Sequence, residues 1–263
     1  MDLKHLTEQT CLVALEAGEF LRKENRKLSS ADIEMKSFNN LVTYVDRESE
    51  AMIVDRLSKI LPGSGFIAEE NPDLNKAEFT WVIDPLDGTT NYIHGVPLYC
   101  VSIGLMQQNN LLAGVVYEVN LDECFYTWEG AASYKNKETI RVSKTPDVLG
   151  SLFATGFPYH DYGRMEDYLD IFRYMMHHSR GIRRLGSAAA DLAYVAAGRY
   201  DGFYEYGLSA WDVAAGTLIV QNAGGKVSDF SGETNHIFGK EIIATNNYIH
   251  NEFQNLFTKW KNG

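Results

Sequence analysis

The first sixty residues carry apolar side chains at helical spacing. Leu6, Val13 and Phe20 lie on one face of a predicted amphipathic helix over residues 3–26. A second helix is predicted over residues 45–61, and the Pro-Gly pair that follows it ends the helix. The chain therefore begins with two helices before any strand is predicted.

Short apolar runs indicate strands in the next hundred residues. Residues 66–68 and 81–83 are predicted to be buried strands, and each runs directly into acidic residues. From residue 98 to residue 142, short apolar runs alternate with polar turns, which predicts an antiparallel meander.

The second half of the chain mixes the two element types. Helices are predicted over residues 162–176, 187–198 and 211–223, and from about residue 247 onward. Strands are predicted over residues 200–206, 226–230 and 241–244. Ser187 is a predicted N-cap. The whole pattern predicts an α+β layered fold, with a boundary near residues 144–150 that divides the chain into units of residues 1–145 and 146–263.

Composition and charge narrow the function classes. The chain has 263 residues, of which 45% are apolar and 22% charged, as in ordinary globular proteins. Its formal net charge of -11 argues against nucleic acid or an anionic membrane as the main ligand. An anionic substrate would then need bound divalent cations to offset the repulsion.

Cysteine usage and the ends of the chain bear on location. Cys11, Cys100 and Cys124 share no close spacing, which predicts free thiols and neither a disulfide framework nor a zinc site. The first residues lack the apolar core of a signal peptide, and no apolar stretch reaches the ~18 residues of a membrane span. We therefore expect a reducing, cytoplasmic location.

The most informative segment surrounds Asp84 and Asp87. A buried strand ends in Asp84, and Pro85 bars the helical conformation at that residue and predicts a turn. Gly88 permits an unusual backbone angle or the close approach of a ligand. Thr89 then opens a helical turn whose free N–H groups can bind an anion. Because carboxylates hold hard cations such as Mg²⁺, the segment predicts metal ions with a phosphate beside them.

Other acidic residues occupy comparable positions. Glu69 and Glu70 follow a predicted strand, Asp212 begins a predicted helix, and Asp46 lies at the start of the second helix. Taken singly, each acid has a simpler explanation as a turn residue, a solvated loop residue, a helix cap or an acid that suits the helix dipole. No one of these segments decides the function.

Together the segments resemble the inositol monophosphatase family. Residues 84–91 (Asp-Pro-Leu-Asp-Gly-Thr-Thr-Asn), followed by residues 94–97 (His-Gly-Val-Pro), resemble its first signature, and residues 211–216 (Trp-Asp-Val-Ala-Ala-Gly) resemble its second. Three further segments fall in the expected order: residues 40–46, 67–70 and 184–189. The resemblance covers essentially the whole chain and is strongest to the bacterial members. It implies a sugar-phosphatase-like layered α/β sandwich with largely antiparallel sheets.

The resemblance implies a magnesium site with two or three ions. One ion would be held by Glu69, Asp84 and the backbone carbonyl of Leu86. A second would be held by Asp84, Asp87 and Asp212, and Glu69 would also support a third, weaker ion. Most of these ligands fall in the unit of residues 1–145, whereas Asp212 and the alcohol contacts fall in the second unit.

Catalytic and substrate-binding roles are implied in the same way. Thr89, hydrogen-bonded to Asp46, would orient and help deprotonate the attacking water, with Glu69 and Lys36 beside the metal and water cluster. The implied substrate-binding residues are Asp87, Gly88, Thr89, Thr90, Gly186, Ser187, Ala188, Glu205 and Asp212. Residues 155–158 (Thr-Gly-Phe-Pro) replace the segment in which animal members have a substrate-contacting Ser, so that contact is not carried over.

The implied activity is hydrolysis of myo-inositol monophosphate or a similar small sugar or polyol phosphate, with Mg²⁺ as cofactor and a metal-activated water as nucleophile. The resemblance also implies lithium sensitivity and a homodimer. Fructose-1,6-bisphosphatase, histidinol-phosphatase and NADP phosphatase activities of the same family remain alternatives for the substrate.

Other classes fit the residues less well. A haloacid-dehalogenase nucleophile loop needs an Asp two positions before its second Asp, where this chain has Pro85. No cysteine is followed by the Arg of a cysteine phosphatase, and the glycine-rich nucleotide-binding motifs are absent. A non-enzyme alternative is a transcription-associated regulatory protein, since some bacterial relatives act with the transcription machinery. A degenerate member should have lost a metal ligand, yet every expected carboxylate is present.

Overall fold

The computed structural model describes residues 1–25, 27, 33–37, 40–71, 77–158 and 162–257, with the side chains of 33–37, 40 and 41 outside the description. Within these ranges the helices are α1 (Leu3–Asn25), α2 (Tyr44–Ile60), α3 (Thr89–Ile93), α4 (Met165–His178), α5 (Ala188–Ala196), α6 (Ala210–Asn222) and α7 (His250–Gln254). No helix in the described part is long and apolar enough to cross a membrane.

The first half of the chain forms a seven-stranded sheet and a small hairpin. The hairpin consists of β1 (Ile33–Ser37) and β2 (Asn40–Thr43). The sheet has its strands in sequence order: β3 (Gly65–Ala68), β4 (Phe79–Asp87), β5 (Cys100–Gln107), β6 (Asn110–Glu118), β7 (Glu123–Trp128), β8 (Ser133–Lys135) and β9 (Glu138–Ile140). Only the β3–β4 pair is parallel, so the predicted antiparallel meander is confirmed from β5 to β9.

The second half forms a five-stranded mixed sheet. Its strands are β10 (Leu152–Thr155), β11 (Gly181–Arg183), β12 (Gly202–Tyr206), β13 (Lys226–Ser228) and β14 (Glu241–Thr245), in the spatial order β11-β10-β12-β14-β13. The pairs that involve β10 are parallel, and those that involve β14 are antiparallel. The resemblance implied largely antiparallel sheets, whereas the small sheet has as many parallel strand pairs as antiparallel ones.

Helices and sheets alternate in five layers, which confirms the predicted α+β sandwich. Helices α1 and α2 cover one face of the large sheet, and α5 and α6 contact both sheets and lie between them. The outer face of the small sheet packs against α4 and α7. Phe153 and Tyr204 of the sheet contact Phe253 of α7 there. The division at residues 145 and 146 stays a prediction, and one apolar cluster draws residues from both halves.

Small residues let α6 lie unusually close to the large sheet. Gly104 and Gly114 face each other on β5 and β6, and a Cβ added at Gly114 would lie 2.6 Å from the carbonyl oxygen of Ala215. On the other side of α6, a Cβ at Gly216 would lie 2.6 Å from Leu192 of α5. The Ala-Ala-Gly part of the second signature therefore positions the helix whose first turn carries Asp212.

Two details differ from the sequence-based expectations. The predicted turn at Pro85 is wrong, because β4 continues to Asp87 and passes through a bulge. Proline fits there because a bulge leaves a residue outside the ladder, where its missing N–H has no cost. The C-terminal helix was predicted from about residue 247, whereas in the part described, up to residue 257, α7 begins three residues later and continues into a 3₁₀ turn over Asn255–Phe257.

Candidate active site

The bulge in β4 brings Asp84 and Asp87 to the same side of the sheet. Asp84 pairs with Ser102 and Asp87 pairs with Cys100, so β4 advances three residues while β5 advances two. In a regular strand, residues three apart point to opposite faces. One extra residue removes this conflict. Both carboxyl groups are buried and line one cavity.

Glu69 approaches this pair from the parallel neighbour strand. Ala68, the last residue of β3, pairs with Ile83 of β4, and the Glu69 N–H donates to the Ile83 carbonyl at 3.2 Å. The loop that follows is tied down by Glu50 of α2, whose carboxylate accepts from the Glu70 N–H at 2.8 Å. Glu50 is 1% exposed. The sequence reasoning missed it, because nothing in a helix pattern marks an inward-facing acid as a loop anchor.

Asp87 is held by the N-terminus of α5. Its Oδ2 accepts from the Ser187 hydroxyl and from the Ala189 N–H, each at 2.7 Å. The Ser187 hydroxyl also accepts from the Ala190 N–H at 3.2 Å, as predicted for an N-cap. A ligand candidate in the first half of the chain is thus oriented by the second half.

Asp212 enters from the first turn of α6. Ser209 is the N-cap, and Asp212 completes a capping box by accepting from the Ser209 N–H through Oδ2 at 2.6 Å. Asp212 can therefore cap α6 and contribute to the site at the same time. One carboxylate oxygen fixes the helix start, which leaves the other for a ligand.

The three aspartates form a compact cluster. One carboxylate oxygen from each of Asp84, Asp87 and Asp212 lies within 4.8 Å of the others. Glu69 lines the same cavity outside this group of three. Burial is the first cause of the raised pKa values in the cluster. Repulsion from neighbouring acids raises the pKa of Asp84 further and contributes to the pKa of about 8 at Asp212. At Asp87, hydrogen bonds from Ser187 and Ala189 oppose the effect of burial, and the pKa is about 6.

These residues fit a hard divalent cation. The predicted ligands Glu69, Asp84, Leu86, Asp87 and Asp212 all line one cavity. Carboxylate and carbonyl oxygens are the donors that Mg²⁺ prefers. A cation bound in the cluster would offset the repulsion between the buried carboxylates that raises their pKa values. In the absence of a cation, bound protons neutralise the carboxylates instead. The arrangement is costly without a bound cation and becomes favourable with one.

Thr89 and Asp46 form a hydrogen-bonded pair at the edge of the cluster. The Thr89 hydroxyl lies 3.0 Å from Asp46 Oδ1 and 3.0 Å from the Leu86 carbonyl oxygen, and can donate its single proton to one at a time. The other oxygen of Asp46 accepts from the N–H and the hydroxyl of Thr43, both at 2.8 Å. Asp46 is therefore both a helix-capping residue and the partner of Thr89. Burial raises its pKa.

Gly88 adopts the left-handed conformation that the segment requires. Its φ is 102°, and an added Cβ would lie 3.2 Å from the Leu98 carbonyl and 3.3 Å from the Gly186 carbonyl. Asn91 holds the same two loops together, because its side-chain amide donates to Leu98 at 2.9 Å and to Leu185 at 2.8 Å. Gly88 and Asn91 of the first signature therefore hold two parts of the chain in place: the turn before α3 and the loop at residues 185–186 that precedes α5.

Glu205, on β12, lines the same cavity as the cluster. It is 7% exposed, and burial raises its pKa to about 8. A Cβ added at Gly156 would collide with the Glu205 carboxyl group, so a larger residue there would displace that side chain. The segment where animal members were expected to carry a serine thus makes room for Glu205.

A single cavity of about 200 Å³ gathers almost all of the predicted site residues. Those that line it are Glu69, Asp84, Leu86, Asp87, Gly88, Thr89, Thr90, Gly186, Ser187, Ala188, Glu205 and Asp212. Asp46 reaches it through Thr89. Lys36 is on β1, and its side chain lies outside the described part of the structure.

Sequence reasoning missed two charged residues of the cavity. Arg184 and Asp191 both line it. Arg184 begins the segment of residues 184–189 that the resemblance marked, and Asp191 lies two residues beyond that segment. Among the described residues that line the cavity, six are acidic and Arg184 alone is basic. His177 and His178 are exposed on the last turn of α4 and do not line the cavity.

The raised pKa values predict a pH dependence of stability without metal. Asp212 and Glu205, with pKa values near 8, hold protons in the folded state that the unfolded chain has released above about pH 4. Stability should therefore fall as pH rises from about 6.5 to 8, by up to about 1.4 kcal/mol per pH unit for each proton involved. His250, with a lowered pKa of about 4, acts in the opposite sense only below about pH 6.5.

Denaturant unfolding in EDTA at several pH values in this window measures the effect. Added Mg²⁺ should flatten the decline, because a cation replaces the protons. A stability that is constant or rises with pH in EDTA would contradict the predicted protonation of the cluster.

Comparison with known proteins gives a consistent result. The sequence matches the inositol monophosphatase family over residues 2–259. It is 40% identical over 238 residues to an inositol-1-monophosphatase of Mesorhizobium japonicum, covering 90% of each chain. It is 42% identical over 239 residues to a Pseudomonas aeruginosa protein named Nus factor SuhB, covering 89% of this chain and 88% of that one.

A solved structure shares the whole fold. The extragenic suppressor protein suhB of Bartonella henselae superposes with a TM-score of 0.91 at 37% sequence identity, covering 96% of this chain and 98% of that one. The five layers described above are thus those of a known fold.

Proposed function

The chain belongs to the inositol monophosphatase family, and we propose that it is a magnesium-dependent phosphomonoesterase that hydrolyses myo-inositol monophosphate or a similar small polyol phosphate. Membership of the family supports a phosphatase activity. The observation that carries the proposal is the cluster of Asp84, Asp87 and Asp212 beside the Thr89–Asp46 pair.

Magnesium would be held by the carboxylates of the cluster. Asp84 would bridge two ions, with Glu69 and the Leu86 carbonyl completing one set of donors and Asp87 and Asp212 the other. A third, weaker ion would rest on Glu69, which lies outside the group of three aspartates. The bound ions would neutralise phosphate charge and activate a water for attack.

The chain's own residues would position the phosphate and the water. The first N–H groups of α3, at Thr89 and the preceding Gly88, would bind phosphate oxygens. The Thr89 hydroxyl, which can donate to Asp46, would accept a hydrogen bond from the water and orient it. Asp46 would help to take up the proton. Phosphate monoester hydrolysis needs mainly positioning and charge neutralisation.

Glu205 would read the hydroxyl groups of the substrate. Its buried carboxyl group lines the cavity that contains the aspartate cluster. Glu205→Ala should therefore reduce kcat/KM on myo-inositol 1-phosphate by about 5- to 160-fold. This corresponds to about 1–3 kcal/mol, the scale of losing one buried hydrogen-bond partner. Hydrolysis of p-nitrophenyl phosphate, which has no polyol, should change little. Equal losses on the two substrates would mean that Glu205 supports the metal site or the fold.

Lithium and assembly provide a further prediction. We expect Li⁺ to inhibit turnover uncompetitively with respect to substrate, because it would replace a weakly held Mg²⁺ with less charge and retain the product phosphate. We also expect a homodimer in light scattering. Turnover that is insensitive to millimolar Li⁺ would reject the first expectation, and a monomer would reject the second.

The relatives named Nus factor SuhB support a second role beside catalysis. We propose it as an addition to the phosphatase activity, because the full set of carboxylates is present in the cavity. An assay of transcription with wild type and with a metal-ligand variant separates the two roles. A transcriptional effect that survives loss of phosphatase activity would be the independent function.

A substrate panel tests the proposed function. Phosphate release would be measured with Mg²⁺ on myo-inositol 1-phosphate, fructose 1,6-bisphosphate, histidinol phosphate, NADP and a nucleotide 3′-phosphate. The highest kcat/KM is expected on the inositol phosphate. A clear preference for another substrate of the panel would assign that activity to the chain instead. No phosphate release from any substrate would reject the phosphatase proposal.

A further inference from the structure

Helix α2 turns polar residues toward the core. Asp46, Ser49 and Glu50 are each at most 1% exposed, and Ile53, one turn further along, is fully buried. Residues three and four apart lie on one side of a helix. The side that faces a core normally carries apolar residues, and a buried polar group is costly unless it has a hydrogen-bond partner. The partners of these three residues therefore indicate why the helix carries them.

All three residues contact segments that build the candidate site. Asp46 lies within hydrogen-bond distance of the Thr89 hydroxyl. The Ser49 hydroxyl donates to the Pro85 carbonyl at 3.3 Å, in the bulge of β4. Glu50 bonds to the loop that follows β3. One side of α2 thus holds the start of α3, the bulge that carries two of the aspartates, and the loop beside the remaining predicted carboxylate ligand.

The Glu50 carboxylate spans two successive residues of that loop. Its Oε2 accepts from the Glu70 N–H at 2.8 Å, and its Oε1 accepts from the Asn71 side-chain amide at 2.6 Å. On the other side, the Glu69 N–H donates to the Ile83 carbonyl of β4 at 3.2 Å. Hydrogen bonds to a carboxylate are charge-assisted and are among the stronger ones. The backbone at residue 69 is therefore held between β4 and α2.

Helix capping does not explain Glu50. The capping box of α2 is completed by Thr43 and Asp46, one turn earlier. A buried carboxylate must also be desolvated, which makes it a costly way to anchor an ordinary loop. The predicted ligand beside this loop, Glu69, lines the cavity but lies outside the compact group of three aspartates. The position of its backbone therefore decides whether its side chain reaches a bound ion.

We propose that Glu50 is a positioning residue for Mg²⁺, which holds residues 70 and 71 so that the Glu69 side chain is directed toward the metal site. It thereby sets the affinity for the ions that Glu69 would bind. The inference rests on the proposed magnesium-dependent activity. Glu50 is not among the described residues that line the cavity, so it acts through Glu69. Residues that orient a metal ligand contribute about 10- to 100-fold to metal affinity or activity.

Glu50→Gln tests this role, because it keeps the shape of the side chain but turns one acceptor oxygen into a donor. The amide cannot accept from the Glu70 N–H and from Asn71 through separate oxygens. Mg²⁺ binding, measured by isothermal titration calorimetry without substrate, should weaken by about 10- to 100-fold. The Mg²⁺ concentration for half-maximal phosphate release should rise by a similar factor. The value of kcat at saturating Mg²⁺ should change much less, because excess metal restores the occupied site.

Two other variants of α2 serve as controls. Glu48→Gln makes the same change at an exposed position and should leave Mg²⁺ binding unchanged. Ile53→Val removes a methyl group from the core beneath the helix, and should lower thermal stability without altering Mg²⁺ binding. A Glu50→Gln variant that behaves like Ile53→Val, with reduced stability and wild-type Mg²⁺ binding, would overturn the inference.

A double variant shows whether Glu50 acts through Glu69. In a Glu69→Gln background, Glu50→Gln should weaken Mg²⁺ binding much less than it does in the wild type, because the ligand that it positions is already altered. Equal factors in the two backgrounds would contradict the proposed role. If Glu50→Gln does not fold, Asn71→Ala replaces it, since Asn71 is exposed and the change removes one of the two hydrogen bonds. Weaker Mg²⁺ binding then supports the inference, and unchanged binding overturns it.

The outcomes separate this inference from the proposed function. If the wild type binds Mg²⁺ but releases no phosphate, the phosphatase proposal fails, and calorimetry still decides the role of Glu50. If the wild type requires Mg²⁺ for turnover and Glu50→Gln binds Mg²⁺ as tightly as the wild type, the role of Glu50 alone is rejected. A wild type that binds no Mg²⁺ rejects both.

Discussion

Asp84→Asn is expected to reduce phosphate release by at least about a thousandfold, because charge stabilisation by bound metal contributes several kcal/mol to such reactions and each 1.36 kcal/mol is tenfold in rate. Asp84 is the most central of the acids, with Glu69, Asp87 and Asp212 all acting on its pKa. Because Asp84 is the proposed ligand of two ions, one substitution would weaken the binding of both. Steady-state assays over a range of Mg²⁺ concentrations measure the loss.

The same variant should be more stable than wild type in EDTA. Asn is neutral without taking up a proton, so it avoids the cost of neutralising a buried carboxylate beside other acids, which is what raises the pKa of Asp84. Asp55→Asn, at an exposed position on α2, is the control and should leave activity unchanged. An Asp84→Asn enzyme with more than about a tenth of wild-type activity at saturating Mg²⁺ would contradict the proposed bridging role.

Thr89→Ala is expected to lower kcat by about 10²–10⁴-fold, the usual contribution of a positioned proton-transfer group. KM should change much less, because orientation of the water matters mainly in the transition state. Thr89→Ser keeps the hydroxyl that lies 3.0 Å from Asp46, and should recover much of the activity. Separate measurement of kcat and KM for both variants distinguishes lost chemistry from lost binding.

A loss below about threefold in kcat would remove Thr89 from the mechanism, since it is far smaller than general-base assistance gives. Capture of a covalent phosphoenzyme during turnover would also contradict attack by water, and would point to an aspartate nucleophile.

Much of the fold was accessible from local patterns. The long amphipathic helix α1 and the meander from β5 to β9 depend on the spacing of apolar residues and on turn residues, which the sequence displays directly. The resemblance supplied the layered arrangement. The bulge at Pro85 was missed because a proline after a strand predicts a turn equally well, and only pairing with β5 shows that the strand continues.

The residues of the candidate site were predicted, but the contacts that hold them in place were not. The signatures named Asp84, Asp87 and Asp212, and the structure brings one oxygen of each within 4.8 Å. The contact from α5 to Asp87 joins residues about a hundred positions apart, and no periodicity predicts it. Asp191 sits in an alanine-rich helix, where its inward direction is fixed by packing between the two sheets.

Magnesium dependence of phosphate release from myo-inositol 1-phosphate tests the central claim most directly. The purified chain would be stripped with EDTA and assayed without metal, and then with increasing Mg²⁺. The account predicts no detectable release in the stripped protein and full recovery on adding Mg²⁺. Full turnover in metal-free buffer would contradict a mechanism in which the carboxylate cluster acts by holding cations.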